Sequence, residues 1–129
     1  MAATIAIIGA LEQEVRHIYD ALGDPVWEER GGLRIARGTL GGREVVATVA
    51  GMGTVNVAAA TQLLLSVYDA GTVIFSGIAG GLNPALHIDD IVIGERLRYT
   101  DTDTALIAES APGLEEFAST PELVDLAEQ

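Results

Sequence analysis

The sequence contains no cysteine. Disulfides and thiolate metal sites are therefore excluded. Basic residues are scarce: 7 Lys+Arg stand against 19 Asp+Glu, for a formal net charge of -12. Nucleic acid or an anionic membrane surface would each need a basic patch, so the balance argues against both as partners. Aromatics make up only 5% of the chain, whereas hydrophobic residues make up 49%. Small aliphatics must then fill the core, as in α/β proteins with buried parallel strands. The apolar run near the N-terminus is too short for a signal core or a membrane span, and Met1-Ala2-Ala3-Thr4 has no basic character. These absences lead us to expect a soluble cytoplasmic protein. A chain of 129 residues suffices for one modest domain with a real core.

What is present is organised around Val73-Ile74-Phe75-Ser76-Gly77-Ile78-Ala79-Gly80-Gly81. Val73 to Phe75 read as a strand buried on both faces, because no polar position alternates through them. Gly77, Gly80 and Gly81 permit close approaches that a Cβ would block. A buried strand ending in such a loop is where an open α/β sheet receives a small ligand, beyond the carboxyl ends of its strands. A tight turn with no ligand fits the same pattern.

Ahead of this stretch, Thr4 to Ile8 predict a buried first strand entering a Gly9-Ala10 turn. Leu11, Val15, Ile18 and Leu22 then recur at helical steps. Glu12 and Glu14 fall in the first turn of that helix, where its dipole favours negative charge, and Gly23-Asp24-Pro25 stops it. Three short strands follow: Val26 to Glu29, Leu33 to Thr39 and Val45 to Val49. Gly31-Gly32 and Gly41-Gly42 punctuate them as hairpins of an antiparallel meander. After Ala50-Gly51-Met52-Gly53, Thr54 caps a helix to about Tyr68, with Ala58 to Ala60 and Leu63 to Leu65 as its buried body. The return to Val73 implies a right-handed crossover and locally parallel strands.

Beyond the central loop, Ile91 to Gly94 predict another strand, carried on to Tyr99. Residues 100–119 read as a long loop or lid. Thr120-Pro121 starts a last helix, with Pro121 in its first turn. The sequence stops before that helix has made three turns. The strands at Val73 and Ile91 want cover that the remaining residues hardly supply. The chain therefore reads as part of a larger α/β unit or one completed by a partner chain, with a small domain ending in a short helix as the simpler alternative. His17, on the polar side of the first helix, and His87, in a turn, make no metal or nucleophile constellation.

Three stretches together resemble the nucleoside phosphorylase superfamily, and within it the 5′-methylthioadenosine/S-adenosylhomocysteine nucleosidases. Ile5 to Val15 is similar to the family opening "IGIIGAMEEEV". Gly51-Met52-Gly53 with Val57 to Ala60 is similar to "GIGKVAAA". Ser76 to Leu82 with Asp89 to Val92 is similar to "TGSAGGL…GDIVV". They stand in the family's order and cover nearly all of the chain up to Tyr99. The resemblance implies a three-layer αβα fold around a mixed central sheet, represented by its N-terminal portion as one incomplete domain over 1–129. It implies hydrolysis of a purine N-glycosidic bond, as in methionine salvage, with adenine released. A small purine nucleoside is the implied ligand, a homodimer the implied assembly, and no metal or organic cofactor is needed.

The resemblance carries roles onto particular positions. Glu14 matches the carboxylate that activates water, while Glu12 is assigned to the surface. Ala10 lies in the turn beside it. Met52 matches an apolar residue near the ribose 5′ substituent. Ser76, Ile78, Ala79 and Gly80 match the loop under ribose and base, with Ile78 in place of a common serine. The family's "YHDADVTAFGY" reads here Tyr99 to Ile107, keeping the aspartates and losing the downstream aromatics. The acid that protonates the departing purine belongs to the family's second half, and no residue here takes that role; Glu109, Glu115 and Glu116 read as solvated. Without it, this chain alone is expected to be inactive. Two rivals stay open: a phosphorylase, in which phosphate replaces water, and a non-catalytic nucleoside-binding or assembly module.

Overall fold

The computed structural model describes residues 3–129, in two compact units, one ending at Gly80 and the other Gly81–Gln129. In the first unit the elements run β1 (Thr4–Gly9), α1 (Glu12–Ala21), β2 (Gly23–Arg30), β3 (Leu33–Leu40), β4 (Arg43–Val49), α2 (Thr54–Tyr68) and β5 (Ala70–Phe75). They build one five-stranded sheet in the order β2-β3-β4-β1-β5. β1 is parallel to both β4 and β5, whereas β2–β3 and β3–β4 are antiparallel. The sheet is thus mixed, as expected, with the meander on one side and the crossover strands on the other.

The apolar runs of β1 and β4 follow from helices on both faces. Ala6, Ile8, Ile35 and Val46 pack with Ala60 and Leu64 of α2. Ile7, Ala36, Val45 and Ala47 pack with Val15 on α1 and with Leu22 just beyond it. Alternate residues of each strand serve alternate layers, so no position can be polar without a partner. Thr48 is the one buried polar residue among those described, and its hydroxyl donates to the Arg34 carbonyl at 2.9 Å.

Several local expectations are corrected. α1 ends just before Gly23-Asp24-Pro25, as expected, but the following strand starts earlier than Val26: β2 begins at Gly23 itself. A register shift between Gly23 and Val26, with Asp24 at φ 47°, absorbs the proline within a strand that, among the described residues, pairs only with β3, consistent with proline's tolerance at edges. Gly53, at φ 100°, and not Thr54, is the N-cap of α2; its conformation is open to glycine alone without strain. In α2 only Ala60 and Leu64 are buried, while Ala58, Ala59 and Leu65 face solvent. One helix can press only one face onto a sheet.

The expectation that Val73 to Phe75 is buried on both faces also fails. Ala70 and Val73 pack into the α2 cluster, but Ile74 and Phe75 are 42% and 57% exposed. β5 stands at the sheet margin, with β1 as its one ladder neighbour among the described residues.

The second unit contains β6 (Arg96–Leu97), α3 (Thr104–Ala108), β7 (Phe117–Ala118) and α4 (Pro121–Ala127). β6 and β7 pair antiparallel. Residues 91–94, expected as a strand, make no ladder among the described residues. β-branched composition favours a pleated surface but does not supply a partner edge. Within the stretch 100–119, Asp103 caps α3 by accepting the Ala105 N–H at 3.0 Å, and Thr104 links Arg98 to Glu115. Glu116 pairs with Arg96 at 3.3 Å. α4 starts as expected at Thr120-Pro121, although the Thr120 side chain makes no capping bond. No described helix is long and apolar enough to cross a membrane.

Candidate active site

Because β4, β1 and β5 are adjacent and parallel, their carboxyl ends share one margin of the sheet. The segments 9–11, 50–53 and 76–80 leave the strands there. Main-chain bonds tie them together: the Ala50 N–H donates to the Gly9 carbonyl at 2.8 Å, and the Ser76 N–H donates to the Ile8 carbonyl at 2.9 Å.

Glu14 lies in the first turn of α1, where orphan N–H groups need acceptors. Its Oε2 accepts the N–H of Ala10 at 2.7 Å and of Leu11 at 2.8 Å. Its Oε1 turns the other way and accepts the N–H of Ile78 at 3.0 Å. Leu11 is the N-cap and has no side-chain acceptor to offer, so Glu14 alone makes the reciprocal half of a capping box. The carboxylate thus clamps the β1–α1 turn to the loop after β5. The Ile78 N–H, and next that of Leu11, hold its carboxyl below the ordinary value; desolvation pushes weakly the other way and the Ala10 N–H adds to the lowering. Glu14 is therefore an anion at neutral pH, fixed in direction and still open to solvent.

Two glycines make this approach possible: the sequence marked Gly77 for close approach, but neither it nor Gly9 was assigned to the site. A Cβ on Gly9 would stand 2.6 Å from Val15 Cγ2 and 3.1 Å from Ser76 O. A Cβ on Gly77 would stand 3.0 Å from Glu14 Oε1. The signal was present in the sequence, since Gly9 ends the first apolar run and Gly77 follows the last.

Of the expected site residues, Glu14, Ala10 and Ile78 meet through hydrogen bonds, and Ser76 joins them through the β1 backbone. Met52 sits in the turn after β4 and is 72% exposed, its carbonyl accepting the Asn56 amide at 2.7 Å. Ile78 is 74% exposed. Ala79 and Gly80 continue as irregular, exposed chain. His17 and His87 are both exposed, and the His87 N–H donates to Asp90 at 2.7 Å. Segments 9–11, 50–53 and 76–80 carry no charged side chain. Among the described residues no group of acids and histidines is placed to hold a metal ion.

Residues 4–129 match the phosphorylase superfamily. The chain belongs to that superfamily. Among relatives within the superfamily, the 5′-methylthioadenosine/S-adenosylhomocysteine nucleosidase of Bacillus cytotoxicus is 42% identical, over 97% of this chain and 56% of that protein. The solved nucleosidase of Neisseria meningitidis, in complex with methylthio-immucillin-A, is similar with a TM-score of 0.89 at 32% identity, covering 97% of this chain and 56% of that one. That of Colwellia psychrerythraea, in complex with adenine, gives 0.91 at 31% identity, covering 99% and 55%. The chain spans about half the length of the curated relatives it matches. The superfamily fold expected from the three sequence stretches, a mixed sheet between helical layers, is the fold observed.

Proposed function

We propose that this chain carries the water-activating part of a purine nucleosidase. The reaction is hydrolysis of the N-glycosidic bond of a nucleoside such as methylthioadenosine or S-adenosylhomocysteine, with adenine released. The observation that carries this reading is the ionised Glu14 carboxylate, aimed by main-chain donors at the carboxyl ends of three adjacent strands. The activity named for the 42% identical relative supports it.

The chemistry follows from charge. As the C1′–N bond to the base breaks, the sugar gains oxocarbenium character. A water on the opposite face forms the new C1′–O bond and gives its proton to Glu14. The departing purine takes a proton from an acid that lies outside segments 9–11, 50–53 and 76–80, which hold no carboxyl side chain. On this reading Ala10, Met52, Ser76, Ile78, Ala79 and Gly80 line the nucleoside, and residues 1–129 alone release no base. Water is favoured over phosphate as nucleophile, because those segments hold no basic residue and the Glu14 anion repels phosphate. The resemblance further supports a cytoplasmic homodimer serving methionine salvage.

The test is a chimera joining residues 1–129 to the portion of the Bacillus cytotoxicus relative beyond its matched region. It should release adenine from methylthioadenosine without phosphate, and Glu14→Gln should cut the rate by about 100-fold or more. A folded chimera that is inactive, needs phosphate, or keeps its rate in Glu14→Gln overturns the reading. Nucleoside binding without turnover, unchanged by Glu14→Gln, would make the chain a binding module. Release by the unfused chain would overturn the placement of the leaving-group acid elsewhere.

A further inference from the structure

Sulfur is rare in this chain. There is no cysteine, and Met1 and Met52 are its two methionines. Met52 stands in the 50–53 segment, at the sheet margin where Glu14 is fixed. Methionine is among the residues most often drawn into a core, where its flexible thioether fills gaps. Met52 is instead 72% exposed.

The turn around it accounts for this. Gly51 and Gly53, at φ 86° and 100°, flank Met52 with backbone conformations that suit glycine. The Asn56 amide donates to the Met52 carbonyl at 2.7 Å, and the Ala50 N–H donates to the Gly9 carbonyl at 2.8 Å. The main chain is thus pinned on either side of the thioether. Neither apolar cluster of the first unit includes Met52 among its described members.

We propose that Met52 is a reversible oxidation site that sets the affinity for an apolar 5′ substituent. This rests on the nucleosidase reading, in which Met52 lines the nucleoside. Hydrogen peroxide is the oxidant. A lone pair of Sδ attacks one peroxide oxygen, the O–O bond breaks, and hydroxide leaves. The hydroxide takes the proton from the transferred oxygen and becomes water. The thioether loses two electrons and becomes a sulfoxide; the peroxide gains them. A methionine sulfoxide reductase reverses the change, its own thiols supplying the two electrons.

The geometry gives the added oxygen a specific effect. No core contact is lost, so the fold is kept. The pinned main chain holds the new S–O group at the margin. That group needs water or a donor, and an apolar alkylthio substituent brought against it removes the water and offers no donor. Glu14 is held by Ala10, Leu11 and Ile78, not by Met52, so water activation is untouched. Oxidation therefore raises KM and spares kcat.

The unfused chain tests the site. Under hydrogen peroxide it should gain one oxygen at Met52, located by peptide mass spectrometry, at the rate of an unstructured methionine peptide. Its melting temperature should not move, and methionine sulfoxide reductase should remove the oxygen. The chimera described above tests the consequence. Oxidation should raise its KM for methylthioadenosine by about tenfold or more, with kcat held within about twofold, and the reductase should restore it. Met52→Leu, compared with its own untreated state, should show no such rise, which also controls for methionines in the joined portion. A Met52 that oxidises far more slowly than the peptide, an oxidised chain that unfolds, or an active chimera whose KM ignores peroxide would each overturn the proposal. An equal rise in Met52→Leu would do the same. A chimera inactive before any treatment would sink the nucleosidase reading and the effect on KM with it, while the peptide map still decides the oxidation site.

Discussion

Replacing Gly9 by alanine isolates the packing on which the Glu14 clamp rests. The added Cβ would come within 2.6 Å of Val15 Cγ2, 3.1 Å of Glu14 Cβ and 3.1 Å of Ser76 O. Val15 is fully buried and pinned among Ile7, Leu22 and Ala47, so it cannot step aside. Overpacking of this kind costs about 1–3 kcal/mol. Against it, Gly9 lies in a strand, and alanine removes unfolded-chain freedom worth about 0.4–1 kcal/mol. The net expectation is a loss of about 1–2 kcal/mol. For a cooperative unit of this size that lowers the melting temperature by roughly 5–15 °C. Thermal unfolding followed by circular dichroism reads it directly. Gly80→Ala is the control, because a Cβ there meets nothing within 4 Å, and its melting temperature should not move. If Gly9→Ala melts at or above the wild-type temperature, the close approach of β1, α1 and the segment after β5 is not a packed junction and the reasoning fails.

Two further outcomes follow from single groups. Thr48→Val should lose about 1 kcal/mol in a urea titration, because the part-buried bond from its hydroxyl to the Arg34 carbonyl at 2.9 Å would be lost; an unchanged midpoint would show that another donor reaches that carbonyl. Glu14 has a carboxyl held below its ordinary value of 4.5 by main-chain donors. Its stabilising contribution is therefore present above that pH and lost as pH falls through the lowered folded value. The stability gap between wild type and Glu14→Gln should be widest at neutral pH and close in acid, and a gap constant across a pH series would refute the clamp.

The parts of the fold that were legible in the sequence are those decided within a few residues. The apolar run of β1, the glycine pairs of the two hairpins and the three- and four-residue spacing of α1 each specify their element locally. Glu14 was legible as a candidate because it sits in a helix first turn after a Gly-Ala turn and within a family-like stretch. The illegible parts depend on partners remote in sequence. Ile74 and Phe75 read as doubly buried, yet burial is set by the neighbours a strand finds, and β5 has one. Residues 91–94 carry strand-like side chains and find no ladder. Ala58 and Leu65 read as core, but the rotation of α2 about its axis turned them outward. The second point of the Glu14 clamp, the N–H of Ile78, lies in the main chain, where no side chain could announce it.

The strand order also dictates when the clamp can exist. β1 is the first strand in the chain and lies between β4 and β5, so it must wait for both to be synthesised. The meander β2-β3-β4 closes through short hairpins and can form early, since neighbouring segments pair at low entropic cost. Glu14 and Ile78 are separated by 64 positions, and their union requires β5 to have docked on β1. On the ribosome, where chains emerge at about 5–20 residues per second, Glu14 therefore spends several seconds with only its local donors, Ala10 and Leu11, to call on before Ile78 emerges.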